Sequence, residues 1–348
     1  MSQKKILIIR LSAFGDVILS LPVIKAWALQ NPSQQFAVLT KPRFRALFEN
    51  LAPNVSTLNI DFGTQYKGFW GIIKLFFHLN NDISSVVDLH NVLRSNILTF
   101  LFSLVGKKVS KVKKHRKTRK LLVAKTHKLL APMPTAWERY NEVFKSHQLT
   151  SPTQNFDNFS YAPLSESEKV KSFFQFLKPH HQLVVIAPFA AHDNKMYPAN
   201  KMEQVLKILS TQSNLTVLLI GNGKKENEQI NNWLTNLLLP ANIQNISNQF
   251  SLQEEMEILA KANLVLAMDS ANLHLASWVG TKVLSIWGPT HPYAGFDVWQ
   301  SNEVISVDLP CRPCSIYGNK PCFRGDLACM NQISPEFVVK KIVESLNG

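Results

Sequence analysis

The chain has 348 residues, 45% hydrophobic and 10% aromatic, which excludes global disorder and is too long for one small domain. Its formal charge is +14, but residues 107–128 hold eleven Lys and Arg and no acid, so the pattern is a near-neutral globular protein with one basic patch, not a uniformly basic nucleic-acid coat. Arg10 and Asp16 interrupt the N-terminal run that resembles a secretory leader, no apolar stretch reaches 18 residues, and the four cysteines all fall within 311–329, so a reducing, cytoplasmic setting is expected.

Strand and helix patterns alternate along the chain. Residues 4–10 read as a buried strand, 11–15 as a loop, and 16–29 as a helix ended by Asn31-Pro32. A strand follows at 36–40, with Pro42 opening a helix, then a strand at 84–89. The helix at 92–105 is closed by Gly106, and its 97–105 portion has the length of a buried helix. The segment 151–163 is poor in aliphatics and carries two prolines, which places a domain boundary there. Beyond it, helices are predicted at 166–177, 200–211, 224–238, 252–260 and 273–279. Strands are predicted at 183–188, 215–220, 243–246, 263–268 and 283–287. A last helix, 335–346, is compatible with either domain. The alternation predicts two α/β domains, 1–160 and 161–348, each a doubly wound parallel sheet. Ligands of such sheets sit beyond the carboxyl ends of the strands, so the loops there carry the candidate chemistry.

After the first strand comes Arg10-Leu11-Ser12-Ala13-Phe14-Gly15-Asp16. Asp16 is either a helix N-cap or a carboxylate held as a general base. Met268-Asp269-Ser270-Ala271-Asn272-Leu273-His274 joins a strand to a helix whose first-turn amides form an anion site. The small residues Ser270 and Ala271 admit a phosphate, and His274 lies one turn further on the same face. An Asp cap with a core histidine is the structural alternative. Lys195, in the loop after 183–188, is either a solvated lysine or a point charge for phosphate. Gly288-Pro289-Thr290 is an ordinary turn or a part of the same site.

Cys311, Cys314, Cys322 and Cys329 have the spacing C-x2-C-x7-C-x6-C, open to a structural zinc, to disulfides or to unligated thiols. The basic run, Lys107–Lys128, is a solvated face or mobile loop, or else contacts anionic lipid or a phosphorylated acceptor. It holds no aromatic residue to stack on bases, and no nucleic-acid partner is expected. A Walker loop, a complete dinucleotide fingerprint, H-E-x-x-H and D-x-D are all missing, so a diphosphate here would be neutralised by helix dipoles and Lys.

Together these motifs resemble the heptosyltransferases of lipopolysaccharide core assembly, glycosyltransferase family 9. The resemblance rests on Ile8 to Val17 followed by Leu21-Pro22, on Val87-Asp88-Leu89-His90 with Arg94-Ser95, on Met268 to Ala276, on Gly280-Thr281, and on Trp287-Gly288-Pro289-Thr290. His90-Asn91 stands where Gln-Gly is usual, and Ala271 where many members have Gly. The resemblance implies a GT-B fold, with two Rossmann-like domains facing across a cleft. It implies inverting, metal-independent heptose transfer from ADP-heptose to a phosphorylated glycolipid at the inner membrane face, with no cofactor required. Asp16 matches the general base and Lys195 a donor-contacting lysine. Asp269, Ser270, Ala271, His274, Gly288 and Thr290 match the donor site, with Glu226 as a ribose-binding acid and Phe250 as an apolar residue over the adenine. Arg10, Ser12, His90 and Arg94 match the acceptor side. Transfer of another nucleotide sugar to a surface glycan, or binding of sugar or nucleic acid without catalysis, are the alternatives. Peripheral attachment to the inner membrane through Lys107–Lys128 is expected.

Overall fold

The computed structural model describes residues 4–152, 161, 166–175, 177, 181–298 and 302–347, so most of the expected boundary segment lies outside the described residues. The chain divides into two compact units, one comprising 1–114 and 134–160 and the other 115–133 and 161–348.

In the first unit, β1 (Lys5–Ile9) leads into α1 (Phe14–Ile18) and α2 (Leu21–Gln30), then β2 (Phe36–Thr40), β3 (Val55–Asn59), α3 (Gly68–Leu79), β4 (Ile83–Asp88), α4 (Leu93–Leu104) and β5 (Lys108–Lys111). The chain passes to the second unit for α5 (Arg116–Leu122) and returns in α6 (Ala136–Lys145). The strands are all parallel, in the order β3-β2-β1-β4-β5. Lys-Ile-Leu-Ile-Ile and Phe-Ala-Val-Leu-Thr are nearly continuous apolar runs because a parallel sheet covered by helices buries both faces of a strand. Ile9 pairs with Leu39 on one side and Asp88 on the other, which lays Arg10, Thr40 and Leu89 side by side at the carboxyl edge.

The single helix expected over 16–29 is two helices. Pro22, at the start of α2, has no N–H to donate, and its ring would clash with the carbonyl four residues back. The chain bends at Leu19-Ser20, where the Ser20 hydroxyl donates to the Val17 carbonyl. Pro42 opens a 3₁₀ helix, Pro42–Phe48, instead of an α-helix.

In the second unit, α7 (Glu168–Gln175), β6 (Gln182–Ala187), α8 (Ala199–Ser210), β7 (Leu215–Leu219), α9 (Gly223–Asn236), β8 (Ile243–Asn245), α10 (Leu252–Lys261), β9 (Leu264–Met268), α11 (Ala271–Trp278), β10 (Val283–Ile286) and β11 (Asn302–Ile305) precede α12 (Ala328–Asn331) and α13 (Pro335–Asn347). The sheet is parallel, in the order β11-β10-β9-β6-β7-β8. Val338 and Ile342 of α13 enter the same core as Val205 and Leu209 of α8, which places the last helix in this unit.

The sequence expectation put residues 115–133 in the N-terminal domain; they pack with the second unit instead. Leu122 and Met133 form a small apolar cluster with Ala294, backed by Phe296 and Ile316. The Met133 amide donates to the Tyr293 carbonyl. Arg119 donates to the Tyr317 hydroxyl at 2.5 Å, the Lys125 ammonium lies 4.8 Å from the Phe323 ring centre, and Lys128 donates to the carbonyls of Pro310, Arg312 and Pro313. In this half of the basic run Arg119, Lys125 and Lys128 are engaged within the second unit, while Arg116, Lys117 and Lys120 are exposed. The engaged cations hold the stretch that contains the cysteines.

Candidate active site

In the first unit the candidate residues gather at the carboxyl edge of β1 and β4. Ala13, not Asp16, occupies the N-cap position of α1 and makes no side-chain cap bond, so the capping alternative for Asp16 falls away. The Asp16 carboxylate lies in the first turn of α1, partly exposed. Its Oδ2 is 2.5 Å from Arg10 Nη2, and its Oδ1 accepts from the Tyr140 hydroxyl at 3.5 Å. Arg10 is buried. Its Nη1 donates to the Leu89 carbonyl at 2.5 Å, and its guanidinium lies 5.5 Å from the Tyr140 ring centre. Burial alone would lower the Arg10 pKa, but Asp16, Tyr140 and Asp88 outweigh it and hold the group above its ordinary value. Arg10 thus stays charged and fixes one carboxylate oxygen of Asp16.

Beside this pair, Asp88 Oδ1 accepts the backbone N–H of His90 at 2.9 Å and of Asn91 at 2.8 Å, shaping the turn after β4. His90 Nδ1 accepts the Leu11 N–H at 3.0 Å, so in the neutral ring Nε2 carries the proton, and it lies 3.5 Å from Ser12 Oγ. Burial, reinforced by Arg10, pushes the His90 pKa down to about 4, so the ring is neutral at pH 7. Ser12, Lys41, Phe69, His90, Leu93 and Arg94 line an open cavity of about 480 Å³ within this unit. Arg10 and Asp16 are not among its lining residues. Ser12, His90 and Arg94 line it directly.

In the second unit, Lys195 Nζ lies 2.9 Å from Asp269 Oδ2, and the same oxygen accepts from the Thr290 hydroxyl at 2.6 Å. These three residues come from the loops after β6, β9 and β10, and both charged side chains are almost fully buried. Ser270 caps α11 through its backbone position alone. Its hydroxyl is buried without a hydrogen-bond partner among the described residues, and Ala271 begins the helix beside it. His274 is buried one turn on.

Gly288 and Thr290 are fixed from behind, because the buried Arg312 donates to the Gly288 carbonyl at 2.5 Å and to the Thr290 carbonyl at 3.3 Å. Gly288 has no room for a side chain, since a Cβ would fall 2.7 Å from Met330. Glu226 and Phe250 stand further along the same sheet edge. Glu226 accepts the Asn222 N–H at 2.7 Å, and the Phe250 ring meets Phe173 edge-on.

The four thiols are unpaired and share the lining of one small cavity of about 10 Å³, close to the size of one water. Among the described residues, no three His, Cys, Asp or Glu side chains are grouped so as to hold a metal ion. The four thiols therefore line a common cavity without forming a ligand cluster among the described residues.

Three contributors were not read from the sequence. Tyr140 reaches Asp16 from α6, a helix whose capping box, Thr135 with Glu138, was a legible but unused signal. Arg312 and Gly318 have no local signature. A Cβ on Gly318 would lie 2.3 Å from Cγ and Cδ of Lys195, so the lysine stem runs directly over that glycine.

Two parallel α/β units, with polar and charged groups at the carboxyl edges of both sheets, define a GT-B fold. The model of glycosyltransferase family 9 (heptosyltransferase) matches residues 73–321, and the chain belongs to that family. The chain is 28% identical over 130 residues to lipooligosaccharide heptosyltransferase 2 of Campylobacter jejuni, covering 36% of this chain and 40% of that protein. It thus matches about two fifths of the length of the first curated relatives. It is 23% identical over 317 residues to the lipopolysaccharide core heptosyltransferase OpsX of Haemophilus influenzae, covering 88% and 85% of the two chains. Among solved structures, ADP-heptose lps heptosyltransferase II of E. coli is similar over 99% of this chain and 98% of that one, with 18% identity and a TM-score of 0.70.

Proposed function

We propose that the protein is an inverting glycosyltransferase that moves a heptose from ADP-heptose to a phosphorylated sugar of the lipopolysaccharide core. The observation that carries this reading is the buried Lys195–Asp269–Thr290 group beside the unpartnered Ser270 hydroxyl and the first amides of α11. That is an anion site with hydrogen-bond capacity left over. The names of the matching relatives support the heptosyl donor. The topology supports the nucleotide's course. Asp269, Lys195, Glu226 and Phe250 follow β9, β6, β7 and β8, four neighbouring strands, so the edge from Asp269 to Phe250 spans about 14 Å. The diphosphate lies at the Asp269 end and the adenine at the Phe250 end.

On the acceptor side, the Asp16 carboxylate removes the proton of the attacking hydroxyl. An alcohol is far less acidic than a carboxyl group, so proton transfer accompanies attack. The new bond forms between that oxygen and the anomeric carbon while the bond from the carbon to the β-phosphate oxygen breaks, with oxocarbenium character between the two. The proton goes to Asp16 and the electron pair leaves with ADP. Lys195, the Ser270 hydroxyl and the α11 amides stabilise the departing charge, a role that needs no metal. Lys41 and Arg94, both on the cavity lining, suit an acceptor phosphate.

The test is mass spectrometry of a delipidated core oligosaccharide after incubation with the purified chain and ADP-heptose, with UDP-sugars and excess EDTA as separate arms. Gain of one heptose, unaffected by EDTA, is expected. Asp16→Asn is expected to slow transfer about 10²- to 10⁴-fold while ADP affinity stays within twofold. Transfer from UDP-sugars only, strict dependence on added divalent metal, or parallel loss of ADP binding in Asp16→Asn would each overturn the corresponding part.

A further inference from the structure

The outer layer of the first unit does not look like a solvent face. The run β3, α3, β4, α4, β5 proceeds in one direction across the sheet, and right-handed crossovers put α3 and α4 on the same side. Their inner faces are already used: Ile72, Leu75 and Phe76 of α3 share one core with Leu98 and Phe102 of α4. The opposite faces should then be polar. Instead, Trp70 is 78% exposed, Phe77 70%, Leu93 79%, Phe100 60% and Leu104 66%. Leu93, Phe100 and Leu104 recur along one stripe of α4, and the last two lie in the 97–105 stretch whose length predicted burial.

The charge around this apolar surface is predominantly basic. No acid occurs between Asp61 and Asp82 or between Asp88 and Glu138, whereas Lys67, Lys74, Arg94 and Lys108 are exposed on or beside the two helices. Lys107 bonds the Asn80 carbonyl at the end of α3, tying the ends of the two helices together. Exposed Trp, Phe and Leu among an excess of Lys and Arg is the composition that partitions into the head-group region of a membrane.

We propose that the outer face of α3 and α4 is a docking surface for an anionic lipid bilayer, its apolar side chains entering the head-group boundary and its lysines meeting lipid phosphates. Charge complementarity favours this occupant over a second copy of the chain, because a twofold contact would set a mainly cationic face against itself. The surface is continuous with the cavity, since Phe69, Leu93 and Arg94 line that cavity's mouth. Docking would therefore present the cavity to a lipid-anchored acceptor. That consequence rests on the proposed function; the docking itself does not. The basic residues used are those of α3, α4 and β5, while Arg119, Lys125 and Lys128 are committed within the second unit.

The test is co-sedimentation of the full chain with phosphatidylglycerol–phosphatidylethanolamine vesicles and with phosphatidylcholine vesicles, all free of glycolipid, so that binding is read without transfer. The natural chain is expected to bind the anionic vesicles at least tenfold more tightly and to weaken with salt. Trp70→Ser with Phe100→Ser is expected to lower the partition coefficient at least tenfold. Each of Lys74→Gln and Lys108→Gln should lower it about fivefold. ADP affinity and melting temperature should stay essentially unchanged in the apolar double variant. Equal partitioning of wild type and variants, indifference to lipid charge, or a solution dimer that Trp70→Ser dissociates would overturn the proposal, the last assigning the face to self-association.

Discussion

Gly318→Ala displaces a lysine without deleting it. The added methyl carbon would sit 2.3 Å from Cγ and Cδ of Lys195, about 1.5 Å inside normal carbon contact, so the stem must leave its path. Gly318 also has φ of +75°, where an L-residue costs about 1–2 kcal/mol. When the ammonium moves off Asp269, a buried carboxylate keeps only the Thr290 hydroxyl on Oδ2. Breaking a buried pair costs about 3–5 kcal/mol when one charge is deleted, and less here because the lysine is displaced, not removed. A total loss of about 2–5 kcal/mol follows. For ADP binding, withdrawal of one charged hydrogen bond of about 1.5–3 kcal/mol predicts roughly ten- to hundredfold weaker affinity. Calorimetric titration with ADP and thermal melting measure both. The double variant Gly318→Ala/Lys195→Ala should bind ADP no worse than Lys195→Ala alone, because both substitutions act through the same ammonium. ADP affinity within twofold of the natural chain in Gly318→Ala, or additive losses in the double variant, would refute this account of Lys195.

Two further outcomes are expected. Thr290→Val removes the hydroxyl from Asp269 and should lower stability by about 1.5–3 kcal/mol, read by urea unfolding; an unchanged midpoint would show that the contact carries no net energy. Two of the first unit's histidines, His90 and His147, are each pushed down to about 4 chiefly by burial, with His147 set between the Ser85 and Ser110 hydroxyls. The unfolded rings protonate near pH 6.5 while the folded ones do not until about 4, so stability should fall as pH drops from 6.5 toward 4 and level off below that. The slope is less than about 1.36 kcal/mol per pH unit for each ring, since both are partly solvated. Urea unfolding of His147→Asn at several pH values should show a shallower slope than the natural chain, and identical slopes would refute the assignment.

How much of this could be read in advance depended on whether the information was local. Apolar runs such as Leu264–Met268 announce buried parallel strands, and the helix that starts after Asp269-Ser270 was legible from its small residues. Lys195 and Asp269 were each identified by their place after a strand, but their pairing was not, because 74 residues separate them in the chain. β5 and β11 escaped because one is rich in lysine and the other short and polar, so their pairing, not their composition, makes them strands. The break at Leu19-Ser20 was readable in principle from Pro22 and was overridden by a continuous apolar pattern. The outer face of α4 inverted expectation for the same reason: apolar periodicity reports an amphipathic helix but cannot say which medium receives the apolar side.

The excursion of residues 115–133 into the second unit has a practical consequence. The polypeptide changes unit at three places, after 114, 133 and 160, so no single cut separates self-sufficient halves. A fragment ending at 160 would strand Leu122 and Met133 in water, and one starting at 161 would lose the cations that Pro310, Arg312 and Pro313 accept from. Dissection of this chain for study of either unit alone therefore calls for a circularly permuted or grafted design in which the 115–133 strap travels with the carboxyl-terminal sheet.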